Sequence, residues 1–135
     1  MATGTSTKLK AADALALAKA FREASTTLGD YLYEKWAEMS PSDRDKLRSL
    51  EVTLLNVATD LVTQAVGIVL DEGQGNLEAL TDATSTAKKA LANIDSAKKA
   101  IKIATALIGL AAAIPTGNLG SIYSAFKSVK DTVTQ

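Results

Sequence analysis

The sequence predicts an all-α fold, and three observations support that prediction. Apolar residues make up 47% of the 135 residues, aromatic residues only 4%, and the chain contains two prolines. Apolar positions recur at steps of three and four residues through most of the chain, which is the spacing of one helical face. No segment alternates apolar and polar residues over a useful strand length. We therefore expect an elongated antiparallel helical bundle of three long helices plus a short C-terminal fourth helix.

The chain length fits a single domain, because domains cluster around ~100 to 150 residues. Residues 1–7 are small and polar, so we expect a disordered N-terminus followed by one helical-bundle domain over residues 8–135. No apolar run follows a charged start, which argues against a cleaved secretory signal. The expected location is therefore cytoplasmic, or outside the cell after export without a cleaved signal peptide.

The first predicted helix runs from about Lys8 to Glu38. Gly29 lies inside it, and since glycine lowers helix stability by about 1 kcal/mol, the helix can bend there. The apolar residues at helical spacing predict its buried face, which comprises Ala14, Leu17, Phe21, Ala24, Leu28, Tyr31 and Leu32.

The second helix has a clear start, because Ser40 can cap it and Pro41 occupies a position that needs no N–H donor. We expect it to end within residues 71–75. Glu51 falls near the edge of its apolar arc, where a salt bridge at the rim of the core is expected. The predicted buried residues are Leu47, Leu50, Leu54, Ala58, Leu61, Ala65 and Ile68, widened by Leu55, Val57 and Val62.

The third predicted helix covers residues 76–114, and its character changes at Lys102. Before that point one face carries lysines, including Lys98, Lys99 and Lys102. Beyond it, four large apolar residues take over that side, namely Ile103, Leu107, Leu110 and Ile114. A fourth helix follows residues 115–117, capped by Asn118 or Ser121, with an apolar face of Ile122, Phe126, Val129 and Val133.

The apolar segment 103–114 is too short to cross a membrane as an ordinary helix. Its twelve residues rise about 18 Å, whereas the hydrocarbon layer is about 30 Å thick. Three explanations remain: the end of a bundle core, an interface with another subunit, or a hairpin with the last helix that enters a membrane. Thr105, Gly109 and Ala113 place small side chains at every fourth position, which permits close helix approach under any of these explanations.

Catalytic chemistry has little support in this sequence. Histidine and cysteine are absent, which removes the usual general base, the thiolate nucleophile and the commonest transition-metal ligands. The Gly73-Gln74-Gly75 stretch lacks the lysine and hydroxyl residue that complete a phosphate loop. We therefore predict no enzyme activity, no catalytic residue, no cofactor, no metal site and no small-molecule substrate.

Charge is distributed unevenly along the neutral chain. Residues 83–135 contain seven lysines against Asp95 and Asp131, and they lack arginine. Without arginine and interleaved aromatic residues, nucleic-acid binding is not expected. A solvated helix face or an anionic membrane surface is compatible with these lysines.

The sequence predicts a non-enzymatic interaction or assembly protein. The apolar hairpin of about residues 103–126 would serve in self-association or in binding a helical protein partner. The alternative is a membrane-active protein, because the segment 100–126 resembles helical pore-forming toxins in general character, with no specific motif matched; this implies insertion into anionic membranes. The candidate interaction or membrane residues are Ile103, Leu107, Leu110, Ile114, Ile122, Phe126, Lys98, Lys99 and Lys102.

Overall fold

The structure, a computed structural model, describes residues 6–64, 67–71, 77–94 and 96–134. Within these ranges the fold is carried by α-helices, with the bounds α1 Ala11–Glu34, α2 Pro41–Gln64, α3 Leu77–Ala92, α4 Ala97–Ala113 and α5 Leu119–Thr134. Shorter elements join them, namely the strands β1 Ser6–Lys8 and β2 Val69–Asp71 and the 3-10 turns Trp36–Glu38 and Ile114–Thr116. The prediction of an all-α protein is confirmed, because the helices pack together around one hydrophobic core.

The helices form a closed ring. α1 packs against α2 and α3, α2 packs against α4, α4 packs against α5, and α5 returns to α3. The α3–α5 contact is the least extensive contact of the ring. The core inside is filled mainly by leucine and alanine side chains together with Phe21, as expected for helices that bury one apolar stripe each.

The buried face of α1 is confirmed, since the seven residues predicted for it are all buried. The helix runs through Gly29 without a break. It ends at Glu34 rather than at Glu38, and a 3-10 turn follows. Arg44 holds this turn, because its Nε donates a hydrogen bond of 2.7 Å to the Trp36 carbonyl and its guanidinium lies 5.0 Å from the centre of the Trp36 ring.

The start of α2 is confirmed, since Ser40 Oγ accepts a hydrogen bond of 3.1 Å from the Asp43 N–H. Its end is earlier than expected, because the helix stops at Gln64 and the chain turns at Gly67, which has a φ of 92°. Leu55 was expected to widen the buried stripe and is instead exposed. Of the other residues predicted for that stripe, Ala65 lies outside the described residues.

Two short strands, which the sequence did not predict, tie the start of α1 to the end of α2. β1 and β2 pair antiparallel, with Thr7 opposite Leu70. Beyond the strands, the Leu9 N–H donates to the Ile68 carbonyl and the Gly67 N–H donates to the Leu9 carbonyl, each at 2.7 Å. Strands of three residues are too short to show alternation in a sequence. Residues 1–5 of the predicted disordered N-terminus lie outside the described residues, while residues 6 and 7 belong to β1.

The prediction of one continuous third helix is wrong, because the chain breaks it into α3 and α4. Asn93 closes the end of α3, where its side-chain amide donates a hydrogen bond of 3.0 Å to the Lys89 carbonyl. Ser96 then caps α4, since its Oγ accepts a hydrogen bond from the Lys99 N–H. Both residue types favour such local bonds to the backbone over continued helix. The final cap prediction is confirmed, because Asn118 Oδ1 accepts from the Ser121 N–H at 3.1 Å.

Gly29 marks a close approach of α1 to α2. Ser25, one turn before it, donates a hydrogen bond of 2.9 Å from its Oγ to the Glu51 carbonyl, and a Cβ at Gly29 would meet the Glu51 carboxylate. That carboxylate ends a flexible, half-exposed side chain, so it can move. Alanine is more stable than glycine inside a helix by about 0.5 to 1 kcal/mol. Because the Glu51 carboxylate must move, we expect Gly29→Ala to raise the free energy of unfolding by less than this, about a few tenths of a kcal/mol.

Urea denaturation of four proteins tests this expectation: wild type, Gly29→Ala, Glu51→Ala and the double variant. In the Glu51→Ala background the full helix gain of about 0.5 to 1 kcal/mol should appear. A loss of stability in that background would contradict the prediction. It would mean that the approach of the two backbones, rather than the Glu51 side chain, requires glycine.

Candidate functional site

The large apolar residues singled out in the third predicted helix lie in the core of the bundle. Ile103, Leu107, Leu110 and Ile114 are each 0% exposed. Ile122 and Phe126 of α5 are also buried. Since α4 packs against α2 and α5, other helices of the same chain cover this side of α4. These six residues, which the sequence offered as interaction or membrane candidates, therefore lie together in the core and pack the helices against one another.

The outer face of α4 carries a different set of residues. Lys98 and Lys102 are exposed, and Lys99 is half-buried. Further along the helix the exposed positions are Thr105, Gly109 and Ala112. The outer face of α4 is thus basic in its first half and lined by small residues in its second.

A groove of about 520 Å³ lies between the outer sides of α4 and α5; we call it the α4–α5 groove. Ile101 and Lys102 lie at one end of it. The rest of its lining is small, with Thr105, Ala106 and Gly109 on α4 and Ala125, Ser128 and Thr132 on α5. The Thr105 hydroxyl donates to the Ile101 carbonyl at 2.7 Å, so its methyl group is left to line the surface.

The space around Gly109 in this groove is open. A Cβ placed on it would have no heavy atom within 4 Å outside its own helical backbone and chain neighbours. No contact with the described part of the chain therefore requires glycine at this point of α4. This differs from Gly29, where a side chain of another helix lies close.

The sequence indicated one half of this groove and missed the other. Thr105 and Gly109 were recognised as small residues on one side of a helix. Ala125, Ser128 and Thr132 were not, although they follow one another at steps of three and four residues, which is the spacing of one helix face. Such a weak signal becomes informative only when α5 is known to lie beside α4.

Polar side chains in the described part of the chain do not gather into a reactive centre. No group of three or more His, Cys, Asp or Glu residues there could hold a metal ion. The buried Ser25 and Thr84 hydroxyls are used structurally, since Ser25 donates to the Glu51 carbonyl and Thr84 donates to the Leu80 carbonyl at 2.8 Å. Across these ranges every buried side-chain nitrogen or oxygen has a hydrogen-bond partner.

Among the described helices, none has the length and apolar character needed to cross a membrane. No protein-family model matches this sequence, and comparisons with curated proteins and with solved structures gave no significant match.

Proposed function

We propose that this protein is a non-enzymatic interaction protein whose α4–α5 groove binds an amphipathic helix of a partner protein. The observation that carries this proposal is Gly109, an exposed glycine in the interior of α4. Glycine at such a position costs about 1 kcal/mol relative to alanine. Among the described residues, none lies close enough to make use of its missing side chain. A close approach by another molecule accounts for that cost.

The proposal includes an antiparallel arrangement of consecutive helices. Contacts between α1 and α2 support it, because Leu9, before α1, bonds to Ile68, after α2, while Ser25 in the middle of α1 bonds to Glu51 in the middle of α2. In an antiparallel α4–α5 pair the small residues of the two helices lie side by side along the groove. The sequence predicted three long helices and a short fourth, whereas the described residues contain five α-helices.

Shape favours a different protein over a second copy of this chain. Small side chains on both walls leave a concave surface, and helices pack by placing ridges of side chains into such grooves. A partner helix with leucine or similar side chains at helical spacing fills the groove. A second copy related by two-fold symmetry would present the same concave surface, so two grooves would face one another and leave a void.

The charges near the groove indicate what kind of partner helix would bind there. Residues 97–134 contain five lysines against the single acidic residue Asp131, and two of these lysines, Lys98 and Lys102, are exposed on the outer face of α4. A partner helix with acidic residues flanking its apolar side gains from this field. An anionic membrane would meet the same lysines. The large apolar residues that would have to enter it are buried, and for that reason we favour an acidic helix.

The test uses a synthetic 20-residue peptide with leucines at helical spacing and glutamates elsewhere, labelled with fluorescein. We expect saturable binding by fluorescence anisotropy, weakened at high salt because exposed charges are screened. Gly109→Phe, which fills the groove, should weaken binding by at least about tenfold, equivalent to about 1.4 kcal/mol. Ala16→Phe adds the same side chain at an exposed position of α1 and should leave binding unchanged.

Several outcomes would contradict the proposal. Absence of saturable binding, equal binding by the two phenylalanine variants, or tighter binding of a peptide with lysines in place of the glutamates would each do so. Sedimentation that shows a wild-type dimer lost in Gly109→Phe would replace the partner helix by a second copy. Binding to phosphatidylserine vesicles without peptide binding would favour the membrane-active alternative.

A further inference from the structure

We propose that a second site, the cavity between α3 and α5, binds an uncharged apolar small molecule. This α3–α5 cavity measures about 330 Å³. Its apolar lining comes from Ala79 and Ala83 on α3 and from Phe126, Val129 and Val133 on α5. It lies on the α3 side of α5, away from the α4–α5 groove, so it does not depend on the function proposed above.

The cavity arises from the residues that α3 places opposite α5. Ala79, Ala83 and Thr86 are short, and they face the bulkier Phe126 and Val129. The α3–α5 contact is accordingly the least extensive in the ring. Thr86 is exposed, so the space opens to solvent and its apolar lining contacts water. A ligand that displaces this water gains the free energy of burying that apolar surface. The volume of the cavity falls at the lower end of the range of about 300 to 1,000 Å³ for ligand sites.

The charges at the cavity favour an uncharged ligand. Asp82 on α3 and Lys130 on α5 both line it, so an ionised group would be attracted by one and repelled by the other. Lys130 also lies over the Phe126 ring, with its Nζ 5.3 Å from the ring centre. Its side chain therefore shields one side of the apolar surface. A compact aromatic or aliphatic molecule fits this combination of size, apolar lining and opposed charges.

A matched pair of fluorescent probes tests the inference. N-phenyl-1-naphthylamine is uncharged, whereas 8-anilinonaphthalene-1-sulfonate has the same ring system with one sulfonate. We expect one molecule of the uncharged probe to bind per chain, with at least about tenfold weaker binding of the sulfonate because a charge must lose its hydration. Ala83→Leu, which fills the cavity, should abolish binding of the uncharged probe. Ala16→Leu, an exposed change on α1, should not alter it.

A second variant covers the case of a misfolded Ala83→Leu protein, and three outcomes would overturn the inference. Should Ala83→Leu fail to give a helical, cooperatively unfolding protein, Thr86→Leu fills the same cavity from an exposed position. Unchanged binding of the uncharged probe in a folded filled variant would overturn the inference. No saturable binding to the wild type, or equal affinity for both probes, would also overturn it.

Discussion

We expect the Leu107→Asp variant to be unfolded at 25 °C and neutral pH. Leu107 is fully buried in α4. Removing a buried leucine side chain costs about 2 to 5 kcal/mol through lost burial and the space left behind. An unpaired carboxylate in the same place adds several kcal/mol, because it loses its hydration. The sum is comparable to the whole stability of a domain, about 5 to 15 kcal/mol.

Circular dichroism at 222 nm and urea denaturation measure this effect. The control is Thr105→Asp, which places the same carboxylate two residues earlier on the exposed face of α4; it should unfold cooperatively with a midpoint close to that of the wild type. A folded Leu107→Asp protein with wild-type stability would contradict the packing described for α4. It would show that the apolar side of this helix faces out of the core.

The apolar end of the third predicted helix shows how much of the fold could be predicted from the sequence. Its unusual run of large apolar residues was recognised, and so was the need for something to cover Leu107 and its neighbours. The sequence left three possible covers, because helical periodicity specifies which residues share a face and not what lies against that face. The ring closed by α5 supplies the cover within one chain. That closure depends on contacts between residues far apart in sequence.

The break between α3 and α4 was missed for a related reason. Apolar residues continue at helical spacing on both sides of it, with Leu91 buried before the break and Ala100 buried after it. The local signal was Ser96, which caps α4. A single polar residue inside a long periodic segment is only a weak signal for the end of a helix. Here the helix does end, because Asn93 also bonds back to the end of α3.

The two proposed sites were predictable to different degrees. Gly109 stands out in the sequence, since it interrupts an otherwise strongly helical segment. The α3–α5 cavity has no such signature, because short residues such as Ala83 in a helix usually indicate close packing. Only the position of α5 shows that the space opposite Ala83 is incompletely filled. Helix faces are local properties, whereas grooves and cavities belong to pairs of helices.

Two adjacent leucines of α2 provide the sharpest test of which face of that helix is buried. Leu54 is 0% exposed and Leu55 is 42% exposed, although the sequence placed both in the buried stripe. We expect Leu54→Ala to lower the free energy of unfolding by about 2 to 5 kcal/mol, which corresponds to a fall in Tm on the order of 10 °C. Leu55→Ala should change it by about 0.5 kcal/mol or less, because the side chain is already largely in water.

Thermal and urea denaturation of the two variants side by side show which of the two leucines is buried. The chemical change is the same in both variants, and helix propensity changes equally. The difference between them therefore reports burial alone. Equal losses at both positions would mean that another molecule or a second copy covers Leu55 in solution, and dependence of the Leu55→Ala effect on protein concentration would identify the second copy. A near-zero effect at Leu54 would contradict the packing of α2 against α1 and α4, and with it the ring that positions both proposed sites.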